Sequence, residues 1–283
     1  MTRKIAVAVI HGMGRQEKND PDNSAALSFS VKLHKQVRKR WGREAFDAEV
    51  AWREIYWADV LQPRQDEYLA AISRATRKKW MRQFVLSNLT DAAAYRQSTD
   101  VNDNTYDAIH EKVKRTIAEL EDDVSDGAPL VVLAHSLGGH VMSNYIYDMA
   151  SSIRRGAPNA PTPFQQFRRM AGLVTFGCNL PVFTFAIPRD KIVPIAYPGT
   201  DIPPDRRLKP WWRNYYDKDD VLGYPLRHIS DKYMALHTSG EMKDYAIDTG
   251  WFPIDWTVLS HNAYWRDPDI YRPVTDMLKR AMG

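Results

Sequence analysis

Three short apolar runs constrain the fold of this chain more than any other feature: IAVAVI (Ile5 to Ile10), LVVLA (Leu130 to Ala134) and LVTF (Leu173 to Phe176). None alternates polar with apolar residues, so each must be buried on both faces, as strands are in parallel sheets covered by helices. EVAWREIYW (Glu49 to Trp57) and WWRNYY (Trp211 to Tyr216) are aromatic and β-prone but mixed with charge, which places them nearer the sheet edges. DYAIDT (Asp244 to Thr249) is a fainter sixth strand.

Helical periodicity fills the spaces between these runs. Phe29, Leu33, Val37 and Trp41 recur every four residues, and Tyr106, Ile109, Val113, Ile117 and Leu120 every three or four. Asn102, Asp103 and Asn104 offer caps before the second helix, while a third, from Gly138, has apolar positions on more than one side and should be buried. This alternation predicts an α/β fold, a doubly wound and mostly parallel six-stranded sheet, built as one domain over residues 1–283. Two segments break the rhythm. Residues 58–101 carry helical patterning around YLAAISRATRKKWMRQFVLSNL, and residues 179–210 hold seven prolines; both read as insertions near a site, helical and proline-rich respectively, that form a cap.

Composition sets outer bounds. With 44% hydrophobic and 26% charged residues the chain is a globular protein with a sizeable core, not a disordered one. A net charge of +4 is mild, and the clusters KLHKQVRKRWGR and RATRKKWMR read as solvated helix faces and not as a nucleic-acid surface; peripheral contact with anionic membranes is the lesser reading of the same clusters. The single cysteine, Cys178, excludes an intramolecular disulfide and a thiolate metal cluster, and fits a cytoplasmic location. Only six apolar residues separate Lys4 from His11, too few for a signal-peptide core. LVTFGCNLPVFTFAIP is too short and too interrupted to span a bilayer, so no transmembrane segment is expected.

The chemistry centres on AHSLGG. A buried strand ends at Ala134, Ser136 follows two residues on, and a helix begins behind it. A serine on so sharp a strand-to-helix turn holds a strained backbone, and its neighbours two residues either side must be small, as Ala134 and Gly138 are. The helix behind it directs amide N–H groups and a positive dipole end to the place where an oxyanion would form.

These residues resemble the nucleophile elbow of the α/β-hydrolase superfamily, and in particular its serine esterases and lipases. Ala134 stands where the commoner pattern has glycine, as it does in small bacterial lipases of that superfamily. The resemblance implies that VIHGMG, after the first strand, supplies the second oxyanion amide from Met13 alongside that of Leu137, with His11, Gly12, Gly14 and Gly138 shaping the supporting turns. A dinucleotide loop is the rival for this segment, but Glu17 stands where the third glycine of such a loop belongs, and its charge repels a pyrophosphate.

In hydrolases of this kind the acid and then the base follow the nucleophile in chain order. Of eight histidines, His11 and His135 belong to the motif loops, His34 and His110 lie on helices before the serine, and His140 is one helical turn beyond it. His228 and His237 fall in a stretch that reads as helical soon after the acid. His261 follows the last strand and precedes a final helix beginning near Pro268, the place where the resemblance puts the base. For the acid, NYYDKDDVLGYPL offers Asp217, Asp219 and Asp220; the apolar pair and proline loop after Asp220 resemble the corresponding lipase segment and favour it.

The resemblance thus implies a serine hydrolase cleaving a small-molecule or lipid ester through Ser136, His261 and Asp220, with no metal or organic cofactor. A thioesterase or acyltransferase would use the same groups, and a non-catalytic binding protein on a hydrolase scaffold is the alternative from a different class.

Overall fold

The computed structural model describes residues 3–12, 26–72, 90–91, 93–96, 103–157, 160–249 and 260–283. Six strands, β1 (Ile5–Ile10), β2 (Val50–Ile55), β3 (Leu130–His135), β4 (Met170–Phe176), β5 (Trp212–Asp217) and β6 (Met242–Ile247), form one sheet in the order β2-β1-β3-β4-β5-β6. Every pairing is parallel. The helices are α1 (Val31–Trp41), α2 (Arg43–Glu49), α3 (Gln62–Ile72), α4 (Thr105–Asp123), α5 (Leu137–Arg154), α6 (Asp231–Thr238) and α7 (Pro268–Met282).

Alternation along the strands builds two cores from one sheet. Ala6, Ala8 and Ile10 of β1 and Leu130, Val132 and Ala134 of β3 face one side, where they meet Ile109, Val113 and Ile117 of α4 and Val141, Met142 and Tyr145 of α5. Ile5, Val7 and Val9, with Val131 and Leu133, face the other and pack on Leu33, Val37 and Trp41 of α1 and Ile270, Val274 and Met277 of α7. All six residues of β1 are buried. With helices on both faces the sheet is doubly wound, which is why its central strands lack polar alternation.

The strand order places the site. The chain winds outward from β1 to β2 and then crosses back to β3 on the opposite side of β1. The C-terminal ends of β1 and β3 therefore flank the point where the winding changes direction, the crevice at which open α/β sheets bind ligands. Ile10 pairs with Ala134, so the backbone of His11 and Gly12 runs beside His135 and Ser136.

Several expectations are sharpened by the structure. The sheet is entirely parallel, the fainter strand begins at Met242, two residues before the predicted DYAIDT, and α5 starts at Leu137 instead of Gly138. Of the three capping choices Asn104 is the N-cap of α4 but makes no side-chain cap hydrogen bond, while the Thr105 amide donates to Asp103 Oδ1. His228 lies in a turn, so only His237 of that pair is helical. Within the first rhythm break the described residues include a 3-10 turn at Ala58–Val60, α3, and helical residues at 90–91 and 93–94. The proline-rich second break has three 3-10 turns, Leu180–Thr184, Arg189–Lys191 and Pro204–Arg206, and no longer helix, since prolines without amide hydrogens cannot sustain one. Among the described residues no helix is long and apolar enough to cross a membrane.

Candidate functional site

Ser136 sits between β3 and α5 with φ 54° and ψ −128°, one of two non-glycine residues at positive φ among those described. Such a conformation costs on the order of 1–3 kcal/mol and persists only where the surroundings over-determine it. Here they do: the Ser136 amide donates to the Phe176 carbonyl at 3.1 Å, and its own carbonyl accepts from Gly139 at 3.0 Å. The side chain makes no capping hydrogen bond to its helix, so the hydroxyl is not consumed by the local fold.

Two glycines make the turn possible. A Cβ on Gly12 would lie 2.2 Å from the Leu137 amide nitrogen and 2.5 Å from Ser136 Cβ, so only a residue without a side chain fits against the elbow. A Cβ on Gly138 would lie 2.9 Å from the Ile10 carbonyl oxygen, which brings the first turn of α5 directly onto the end of β1. The Leu137 amide stands at a helix N-terminus, where N–H groups lack intrahelical acceptors. Met13 and Gly14, the other members of the predicted oxyanion turn, lie outside the described residues.

Asp220 and His261 come together although 41 residues separate them: His261 Nδ1 lies 2.9 Å from Asp220 Oδ2, with both side chains buried. Burial pushes the Asp220 carboxyl up, but the His261 hydrogen bond and charge, the Leu222 amide and the Tyr264 hydroxyl outweigh it and hold the group below its ordinary value. An ionised Asp220 can only accept, so His261 Nδ1 carries the hydrogen, and in the neutral ring Nε2 is the nitrogen with the lone pair. Ser136 Oγ and His261 Nε2 are both buried and have no hydrogen-bond partner among the described residues. The two atoms are therefore not hydrogen-bonded to each other in this structure.

The other acidic candidates are otherwise engaged. Asp217 Oδ2 accepts from the backbone and hydroxyl of Thr249, each at 2.7 Å, and its Oδ1 from the Asp219 amide, while the Asp219 side chain faces solvent. The other histidines have structural surroundings. His34 packs edge-on to Phe46 and Trp52, His110 lies 2.7 Å from the Tyr95 hydroxyl, and His140 stacks flat on Phe183 with ring centroids 4.2 Å apart. His228 and His237 lie on the loop and helix beyond the acid.

Three supporting residues carry no signal in a single sequence. The Tyr264 hydroxyl donates to Asp220 Oδ2 at 2.9 Å and accepts from the Asp217 amide at 2.8 Å, bracing Asp220 from the turn that holds His261. Asp244, on β6, accepts from the amides of Leu226 and Arg227 and from Asn214 Nδ2, and so ties the chain after Asp220 to the sheet. His135 lies against His261, ring centroids 4.7 Å apart, and shares an aromatic cluster with His11, Phe176 and Trp265. Burial and the proximity of His261 push the His11 imidazole down to about 3, so it stays neutral. No cluster of three or more metal-ligating side chains occurs among the described residues.

The arrangement offers an unbonded hydroxyl in a strained turn with a helix N-terminus directly behind it, and a buried imidazole with its Nδ1 facing a carboxylate. Compared with protein-family models and with curated proteins, the chain matches none.

Proposed function

We propose that this protein is a serine hydrolase of the esterase or lipase type, with Ser136 as nucleophile, His261 as base and Asp220 as acid. The observation that carries the reading is the joint occurrence of a positive-φ Ser136 with an unpartnered hydroxyl and a His261–Asp220 pair whose Nε2 is likewise unpartnered. In the proposed reaction His261 Nε2 takes the Ser136 proton as Oγ attacks the ester carbonyl. The carbonyl oxygen becomes an oxyanion held by the amides of Leu137 and Met13. Collapse expels the alcohol, which leaves with the proton from His261, and water activated by the same imidazole releases the acid and restores the serine. Asp220 keeps the imidazole oriented and stabilises its cation. These steps need no metal or organic cofactor.

An apolar acyl group suits the surroundings best. The segment leaving β4 presents Val182, Ile187, Val193 and Phe185 to solvent, the last 84% exposed, and Val221 is exposed immediately after Asp220. Four exposed apolar side chains within twelve residues of one segment support a hydrophobic partner or substrate.

Nitrophenyl esters of increasing chain length test the reading. Wild type should hydrolyse them with a preference for longer acyl groups, and both Ser136→Ala and His261→Ala should lose the activity. Equal turnover by wild type and Ser136→Ala would remove the serine mechanism. One observation favours a binding protein on the same scaffold: Ser136 is fully shielded from solvent, so the covering atoms must move before any ester reaches it. Tight binding of an uncleavable ester analogue, without turnover of any ester, would support that alternative.

A further inference from the structure

We propose that His135 is a positioning residue that fixes the base, holding His261 through its backbone while Asp220 holds the ring. This rests on the reading of His261 as the base. His135 Nε2 lies 2.8 Å from the His261 carbonyl oxygen, with both groups buried. A carbonyl only accepts, so Nε2 is the protonated nitrogen of His135 and Nδ1 carries a lone pair. That Nδ1 is buried and has no hydrogen-bond partner among the described residues, an arrangement a neutral ring tolerates better than a cation, whose second N–H would be stranded. Burial, reinforced by the neighbouring His261 and His11, pushes His135 well below the ordinary histidine value.

The two ends of this hydrogen bond differ in how firmly they are built. His135 closes β3, whose neighbours on either side are β1 and β4, and pairs directly with Phe176. His261 belongs to a 3-10 turn, Ser260–Arg266, outside the sheet. The Nε2–H bond therefore ties the turn carrying the base to the strand carrying the nucleophile, one residue before Ser136. A neutral His135 also adds no charge beside the imidazolium that forms on His261 during turnover, so it does not oppose the balancing Asp220 carboxylate 2.9 Å away. The residue preceding the nucleophile then sets where the base stands, and a displacement of about 1 Å costs about a hundredfold in rate.

Two variants of similar size separate a donated hydrogen bond from simple packing. His135→Gln keeps a side-chain N–H near the position of Nε2, and His135→Met keeps the length without a donor. The first readout is the low-field proton NMR signal of His261 Nδ1–H bonded to Asp220, assigned by its loss in His261→Ala. The second is the rate at which a fluorophosphonate labels Ser136. His135→Met should lose the signal to solvent exchange and label about a hundredfold more slowly than wild type. His135→Gln should retain the signal and recover most of the rate. If the two variants behave alike, whether both match wild type, both slow equally or both fail to fold, His135 packs without positioning. A wild type that resists the probe would instead overturn the hydrolase reading, and the NMR comparison would still decide the role of His135.

Discussion

At the scale of single residues, Asp220 fixes the hydrogen of His261 on Nδ1. Asp220→Asn can offer an amide N–H there instead, favouring the wrong tautomer, and should slow labelling of Ser136 by about 10³- to 10⁴-fold. Tyr264→Phe removes one donor from Asp220 and orphans the buried Asp217 amide. Thermal unfolding of that variant should show a loss of about 1–3 kcal/mol, with a smaller effect on labelling than Asp220→Asn. A Tyr264→Phe protein as stable as wild type would contradict the bracing role. The sequence singled out Ser136, Asp220 and His261 from motif order and from the residues around them. It could not show that Asp217 is occupied by Thr249, or that Tyr264 and His135 serve the pair, because those partners meet only through tertiary contacts.

At the scale of elements, close approach decides what is tolerated. Gly12→Ala would place a methyl group 2.2 Å from the Leu137 amide nitrogen, so the β1 turn must withdraw from α5. Activity should be lost and the unfolding midpoint lowered, and an active, stable Gly12→Ala would show that the turn is not seated there. Asp244→Ala, leaving the amides of Leu226 and Arg227 without their acceptor, should cost about 1–3 kcal/mol by denaturant unfolding, and Asp244→Asn less, since one carboxylate oxygen is retained as a carbonyl. The central strands were legible because burial on both faces leaves only apolar residues. The edge strand β6, partly exposed, gives a weaker pattern and starts two residues before the segment that pattern marks. The proline-rich stretch was recognised as irregular, but its 3-10 turns follow from local chain geometry that no hydrophobic period records.

At the scale of the whole molecule, two cores share one sheet and several histidines are held neutral beside them. Burial, with His261 in the first case and His140 in the second, lowers His11 from 6.5 to about 3 and His110 to about 4; burial alone lowers His140 to about 4. Between pH 6.5 and 4 the unfolded chain therefore binds more protons than the folded one. The stability these groups contribute is complete above pH 6.5 and declines as the pH falls toward 4. The depressed Asp220 acts in the same direction at lower pH, below the ordinary carboxylate range. Melting curves across this interval should show Tm falling steadily with pH, whereas a flat profile would mean that the histidines titrate normally. The winding order, with its change of direction between β1 and β3, explains why the glycine turn and the serine elbow meet at one edge. The resemblance implied that the two motifs meet, and the strand order supplies the physical reason.

The central claim, that Ser136 is a nucleophile activated by His261 and Asp220, is tested most directly by intact-mass spectrometry after exposure to a fluorophosphonate. A single adduct should form on the wild type, map to the peptide containing Ser136, and be absent from both Ser136→Ala and heat-unfolded protein. A folded wild type that acquires no adduct from even the smallest such probe, or acquires one equally in Ser136→Ala, would contradict the account.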